Sequence, residues 1–395
     1  MRQKADEPAT KRELNTGLAA SGRPAGESSH PVNQPVERAS TILFPTYEAF
    51  TNKDKEYIYG RFGTRSHKAL CDSISELEGG EHTHLMPSGL AAITTCLMAF
   101  TDQNSHILVT DSCYDPVRSI CDRFLSKYGV ETEYYNPRAG EKIASLIRSE
   151  TKLILCESPG SLTFEIQDIP AIVHEAEKQD IPVMADNTWS AGYFFRPLAV
   201  GASVSIQSVT KYIGGHADCL MGSVTCNDAV IAKKIERTAR QLGHNVSADD
   251  AYFAHRGLRS LGARLGVHEA NALKLVDWLA QKPEVTKVLH PAREDHPDHA
   301  IWKRDFSGSS GLFGFILAPC SEATLARFCN TLQYFGMGYS WGGFESLLIP
   351  CPVEEYRSAV PWSEEGHLMR IHAGLEDVDD LVNDLEQAFA ELRAA

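Results

Sequence analysis

The amino-acid sequence predicts an α/β protein, with a large domain on a mostly parallel sheet and a smaller α+β C-terminal domain. Two observations carry this expectation. From about residue 80 to 225, short apolar runs alternate with segments of helical spacing, the rhythm of a parallel sheet covered by helices on both faces. After about residue 250, strand-like and helical segments mix without strict alternation. The 395 residues suffice for two or three domains at about 150 residues each.

The opening segment, Met1 to His30, is polar and rich in Ser, Gly, Pro and charge, and reads as a flexible leader. It lacks the apolar core of a secretion signal. Strands are expected at His106–Thr110, Lys152–Glu157, Pro182–Ala185 and Ser203–Val209, each a short run rich in apolar residues. Between them, Pro170–Gln179 sets Ile172, Val173 and Ala176 at helical spacing. The domain boundary is expected near residue 250. Asp250–Leu279 reads as one or two long helices and His290–His299 as a solvated loop. Gly311–Leu317 reads as a strand, and Glu322–Leu332 and Val378–Leu392 as helices.

Composition narrows the function classes. Lys and Arg total 38 against 52 Asp and Glu, a net charge of −14. An acidic chain without a basic tract argues against nucleic acid or an anionic membrane as partner. No apolar run approaches the roughly 18–20 residues that span a bilayer. The ten cysteines are scattered, with no Cys-x-x-Cys pair, which favours reduced thiols and a soluble cytoplasmic protein. His82, His84 and the run His290, His296, His299 lack cysteine partners or helical spacing, so no metal site is expected.

Three segments carry chemistry. Ser208-Val209-Thr210-Lys211-Tyr212-Ile213-Gly214-Gly215 places a lysine at the end of a predicted strand, beside hydroxyls and a glycine pair. Such an amine can condense with an aldehyde while hydroxyls and open amides receive an anion; an ordinary solvated lysine is the other reading. Asp186, in Ala185-Asp186-Asn187, ends the preceding strand. It suits either a helix cap or a partner for a protonated ring nitrogen. Pro87-Ser88-Gly89-Leu90 opens a small-residue helix, whose amides form either a plain cap or a phosphate cradle. Together they are the three parts that a pyridoxal phosphate site requires.

The stretch Ser208–Asp218 (SVTKYIGGHAD) resembles the signature of the Cys/Met-metabolism pyridoxal phosphate-dependent enzymes. The resemblance runs from about Val32 to the C-terminus. It takes in Tyr59-Gly60-Arg61, Leu77-Glu78-Gly79-Gly80, Ala185–Trp189, Ser340–Leu347 and Arg370–Asp377. It implies a fold type I, transferase-like architecture. Residues 1–60 would form a leader and an arm reaching a neighbouring subunit, 61–250 the cofactor-binding domain and 251–395 the small domain. It further implies that Lys211 holds the cofactor and moves protons, and that Asp186 pairs with the ring nitrogen. Ser88, Gly89, Leu90, Ser208 and Thr210 would surround the phosphate, with Tyr114 stacked on the ring. Tyr59 and Arg61 would reach the phosphate of a neighbouring subunit, in a homotetramer built as a dimer of dimers. Tyr59 and Tyr114 would also stand among the catalytic groups. Arg370 would grip the substrate carboxylate, with Ser340 and Trp341 alongside.

Within the family, Ser340-Trp341-Gly342-Gly343 is similar to the bacterial β-lyases, where γ-acting relatives carry a smaller or aliphatic residue at the Trp341 position. The implied reaction is cleavage of the thioether cystathionine to homocysteine, pyruvate and ammonia. The alternatives are a broader cysteine-S-conjugate β-lyase, a γ-acting relative or, outside enzymes, a non-catalytic binding protein. Two departures bear on substrate, one being Arg65-Ser66-His67 in place of the usual Thr-Pro-Thr-His style. The β-lyases often read Tyr-Gly-Arg-Arg-Gly-Thr, whereas this chain reads Tyr59-Gly60-Arg61-Phe62-Gly63-Thr64. Either Arg65 compensates or the preferred thioether lacks a second carboxylate.

Overall fold

The computed structural model describes residues 12–24, 29–52 and 56–394. The first part of the chain supplies α1 (Leu14–Ala20), α2 (Tyr47–Thr51), α3 (Arg65–Glu78), β1 (His82–Met86) and α4 (Gly89–Phe100). There follow β2 (His106–Thr110), α5 (Asp115–Arg123), β3 (Glu131–Tyr135), β4 (Thr151–Glu157), α6 (Ile169–Glu177), β5 (Val183–Asp186), β6 (Val204–Gln207) and β7 (Gly222–Cys226). These strands form a seven-stranded sheet in the order β1-β7-β6-β5-β4-β2-β3. β3, β2, β4, β5 and β6 run parallel, and β7 is antiparallel to both of its neighbours. Every residue of β2 is buried, as a continuous apolar run in a covered parallel sheet should be.

Three helices, α7 (Ala229–Gln241), α8 (Ala248–Arg259) and α9 (Leu261–Leu279), lead into the second part. It comprises β8 (Val285–Leu289), α10 (His299–Asp305), β9 (Leu312–Leu317), α11 (Glu322–Thr331), β10 (Leu347–Pro350), β11 (His367–His372) and α12 (Val378–Arg393). Its four strands pair antiparallel in the order β10-β11-β9-β8. Ala251, Leu258 and Leu265 pack in the same core as Leu70 and Ile74 of α3. Ala272 and Leu275, further along α9, pack with Phe313 and Phe389. α9 therefore runs from one core into the other.

Two sequence expectations change. Of the leader, residues 1–11 and 25–28 lie outside the described residues, but the part between them is not free. It carries α1, whose Leu18 is 1% exposed in the main core. The Ser21 hydroxyl accepts from Ser73, which also lies 3.0 Å from His255. The loop 290–299 is not solvated either. His290, His296 and Asp298 are buried, and Asp298 accepts from Nε and Nη2 of Arg138, at 2.7 and 2.8 Å, plus the amide of Ile166. Its polar residues tie the two parts of the chain together, which a sequence pattern cannot report. Among the described residues no group of three or more His, Cys, Asp or Glu is placed to hold a metal ion.

The connection between β10 and β11 crosses back to the large sheet. Asp111, just beyond β2 and fully buried, accepts from the Ser358 and Val360 amides, both at 2.9 Å, and from Arg118 at 2.7 Å. Arg357 on the same strap pairs with Glu165. The strap also brings Cys351, Pro352 and Tyr356 to one wall of the cleft described next.

Candidate active site

A cleft of about 340 Å³ opens at the carboxyl ends of β4 and β5, between the two sheets. Lys211 stands in the turn after β6, at the end of a predicted strand as the sequence implied. Its Nζ donates to Ser340 Oγ at 2.7 Å and lies 5.2 Å from the Trp341 ring centroid. Burial, and then the positive charge of Arg370, push the Lys211 amine down to about 8, against the pull of Asp186. An amine so shifted is partly neutral near physiological pH, which is the nucleophilic form.

Asp186 closes β5 and lines the cleft. One of its oxygens accepts from both the amide (3.0 Å) and the hydroxyl (2.6 Å) of Thr188. Among the described residues the other oxygen has no hydrogen-bond partner, and burial pushes the carboxyl up despite the Thr188 bonds. This acid is therefore held in place and awaits a cation. Tyr114 precedes α5 with its ring on the cleft, 46% exposed. Its amide donates to Glu157 Oε2 at 2.7 Å.

The start of α4 faces Ser208. The Ser88 hydroxyl caps the helix by accepting from the Ala91 amide at 3.0 Å. The Gly89 and Leu90 amides, first in the helix, have no intrahelical partner by construction. A Cβ on Gly89 would fall 2.7 Å from the Cβ and Oγ of Ser208, so only glycine lets the helix start approach that hydroxyl. The Thr210 hydroxyl is already committed, donating to the Met221 carbonyl at 3.1 Å and accepting from its amide at 2.9 Å. Arg370, from β11, reaches the same cleft. Its Nη2 donates to the carbonyls of Ser340 (3.0 Å) and Gly338 (3.3 Å), so a carboxylate gripped on two prongs would share Nη2 with the turn.

Two predicted residues are not brought to Lys211 within the chain. Arg61 donates to the Arg240 carbonyl at 3.0 Å and lines a different cleft with Tyr57, His67 and Arg240. Tyr59, half-exposed, packs edge-on against Phe62. Phe62 has drawn both arginines to itself, with the Arg61 and Arg240 guanidinium carbons 4.5 and 4.4 Å from its ring centroid. Arg65 is engaged elsewhere: Glu37 takes its amide and its guanidinium, at 2.9 and 2.7 Å.

Sequence reasoning missed two carboxyls. Glu157 ends β4 directly across from Asp186, and burial followed by the Asp186 charge pushes it well up. An acid closing an apolar strand was the available signal. Glu78 closes α3 fully buried beneath β5 and β6, bonded by Ser205 at 2.7 Å and by Gln207. Burial raises it to about 7 against those bonds. Its motif Leu77–Gly80 belongs to the family resemblance, but its burial depends on strands remote in sequence, so no local pattern marks its chemistry.

A buried amine of lowered affinity for protons, a fixed acid with an open oxygen, a side-chain-free helix start beside a hydroxyl and an aromatic ring at the mouth suit one group. It is an aromatic aldehyde bearing a ring nitrogen and a phosphate, so fold and site together define a pyridoxal phosphate-dependent enzyme. The profile of the Cys/Met metabolism PLP-dependent enzymes matches residues 15–390, and the chain belongs to that family. It is 44% identical to a putative cystathionine beta-lyase of Rhizobium johnstonii over 385 residues, covering 96% of this chain and 97% of the relative. It is 41% identical to cystathionine beta-lyase MetC of Escherichia coli, covering 96% and 99%. Among solved structures, cystathionine gamma-lyase from Lactobacillus plantarum complexed with L-serine superposes with a TM-score of 0.89 at 28% identity, covering 97% and 100%.

Proposed function

We propose that the protein is a carbon–sulfur β-lyase that cleaves L-cystathionine, with water, to homocysteine, pyruvate and ammonia. The observation that carries this reading is the Lys211 amine held by Ser340 beside the Trp341 indole, which lines the cleft together with Arg370. Full-length relatives named as cystathionine beta-lyases support the substrate. Lys211 would hold the cofactor, Asp186 its ring nitrogen, and the amides of Gly89 and Leu90 with the Ser208 hydroxyl its phosphate. Thr210 serves that phosphate by fixing the turn, since its proton is spent on Met221. When bound, the cofactor supplies an electron sink for bonds at the substrate α-carbon.

The chain's own groups do the rest. Arg370 takes the α-carboxylate on a planar two-pronged edge, a geometry that lysine cannot copy. The Lys211 amine then stands where it can take the α-proton, and its lowered affinity for protons leaves a fraction of it unprotonated near neutrality. The Ser340 hydroxyl limits how that amine swings. The Trp341 indole, on the cleft wall beside that amine, would restrict how the substrate lies. Tyr114 covers the mouth, and its hydroxyl is held protonated, chiefly by burial.

In this reading Tyr59 and Arg61 serve the phosphate site of a second copy, so the working unit is at least a dimer and, by family pattern, a tetramer of two dimers. The ten free cysteines support a cytoplasmic setting. Product analysis decides the main reading. Pyruvate with homocysteine is expected, and 2-oxobutyrate with cysteine would move the enzyme to the γ-acting group.

A further inference from the structure

The Ser340 turn is held in an unusual backbone shape. Ser340 has φ +77° and Gly342 φ +84°, and a non-glycine residue in the left-handed region persists only where its surroundings over-determine it. The determinants lie on one strand. Arg370 and His372, two apart on β11, project from the same face. The first bonds the Ser340 carbonyl at 3.0 Å. The second accepts the Gly342 amide on Nε2 at 3.2 Å.

The other nitrogen of that ring, Nδ1, lies 3.0 Å from the Glu345 carbonyl. A carbonyl only accepts, so Nδ1 must carry the hydrogen, and Nε2, receiving an N–H, must be bare. The ring is thus neutral and its tautomer is set by its neighbours. It is completely buried, with Tyr212 and His268 against it; burial first, then His268 and the charges of Arg370 and Lys211, disfavour a second proton against the pull of the Glu345 carbonyl. Gly342 in turn presses on the lysine itself. A Cβ there would fall 2.8 Å from the Tyr212 nitrogen and 3.1 Å from the Lys211 Cα.

We propose that His372 is a positioning residue for the Lys211 amine: by holding the Gly342 amide it keeps the Ser340–Gly343 turn against the lysine, with the Ser340 hydroxyl on Nζ. The assignment rests on the reading that Lys211 carries the cofactor. It also gives β11 two tasks on one face. Arg370 must share itself between the turn and an arriving carboxylate, and His372 keeps the turn in place while it does so.

The test uses holoenzyme variants His372→Phe, His372→Asn and Gly342→Ala, each with and without Ser340→Ala. It reads kcat, KM and the pH midpoint of the bound cofactor's long-wavelength absorbance. His372→Phe is expected to lower kcat about tenfold to hundredfold with KM little changed, as sub-ångström to ångström misplacement of a reacting group does. It should also shift the absorbance midpoint as Ser340→Ala does. In the double variant neither quantity should move further, because both changes act through one contact. His372→Asn, which can still accept or donate once, should fall between.

Full and independent effects of Ser340→Ala in the His372→Phe background would overturn the proposal. If His372→Phe yields no folded holoenzyme, Gly342→Ala decides, since it drives the turn off Lys211 and leaves His372 intact. Unchanged kcat and midpoint in that variant would also overturn it. Wild-type protein lacking both cofactor absorbance and β-elimination would instead sink the underlying reading, so the two failures are distinguishable.

Discussion

Lys211 differs from a surface lysine in one measurable respect: its amine is lowered to about 8 by burial and by Arg370. The free amine captures the cofactor aldehyde, so apoprotein should bind pyridoxal phosphate faster as pH rises through about 8. A lysine near its usual value, about 10.4, would show that rise two units later. Stopped-flow absorbance checks this, and Lys211→Ala should abolish both the capture and the lyase activity. Arg370→Lys keeps the charge and loses the second prong. A hydrogen bond to a charged group is worth about 1.5–3 kcal/mol, so KM for any amino-acid thioether should rise roughly ten- to hundredfold. Steady-state kinetics will show it. Lys211, Asp186, Ser340 and Arg370 were legible in the sequence because each sits at a strand end or in an ordered motif. Glu157 and Glu78 were not, because a carboxyl becomes unusual only through the tertiary partners that bury it.

At the scale of elements, α1 shows what polarity hides. A short helix inside a Ser-, Gly- and charge-rich stretch has little propensity to form alone, and it persists because Leu18 fills a slot in the main core. Leu18→Ala should cost about 2–5 kcal/mol of docking, read as faster proteolysis near Ser21, with the far side of the molecule unaffected. Strand legibility followed burial chemistry. β2 announces itself by its apolar run Ile107-Leu108-Val109, whereas β1 (His-Thr-His-Leu-Met) and β7 (Gly-Ser-Val-Thr-Cys) do not, although β7 is just as buried. Thr83 and Thr225 pair across them at 2.9 Å, and such pairing lets polar residues enter a sheet that apolar periodicity would not assign them.

For the whole molecule, the buried histidines set an acid limit. His255 and His268 are lowered to about 4 and His290 to about 3, in each case chiefly by burial. An unfolded chain binds these protons near 6.5 and the folded one refuses them. Stability should therefore be fully present above about pH 6.5 and fall as pH drops toward 4, as denaturant midpoints across that window would record. Assembly has its own test. Arg61→Ala and Lys211→Ala subunits, each inactive alone, should regain part of their activity when mixed, and failure to do so would confine the site to one chain. Within the large sheet the parallel strands β2, β4, β5 and β6 were readable from alternation alone, while the way the two parts grip each other was not, because it depends on isolated buried charges such as Asp111 and Asp298. The strap anchored at Asp111 has a consequence for diversity. Its two ends are fixed, one in a β-strand and the other on a buried carboxylate, so the bore of the cleft depends on how many residues lie between them. A few insertions or deletions there would change which sulfur substituents are admitted without disturbing a single group that handles the proton.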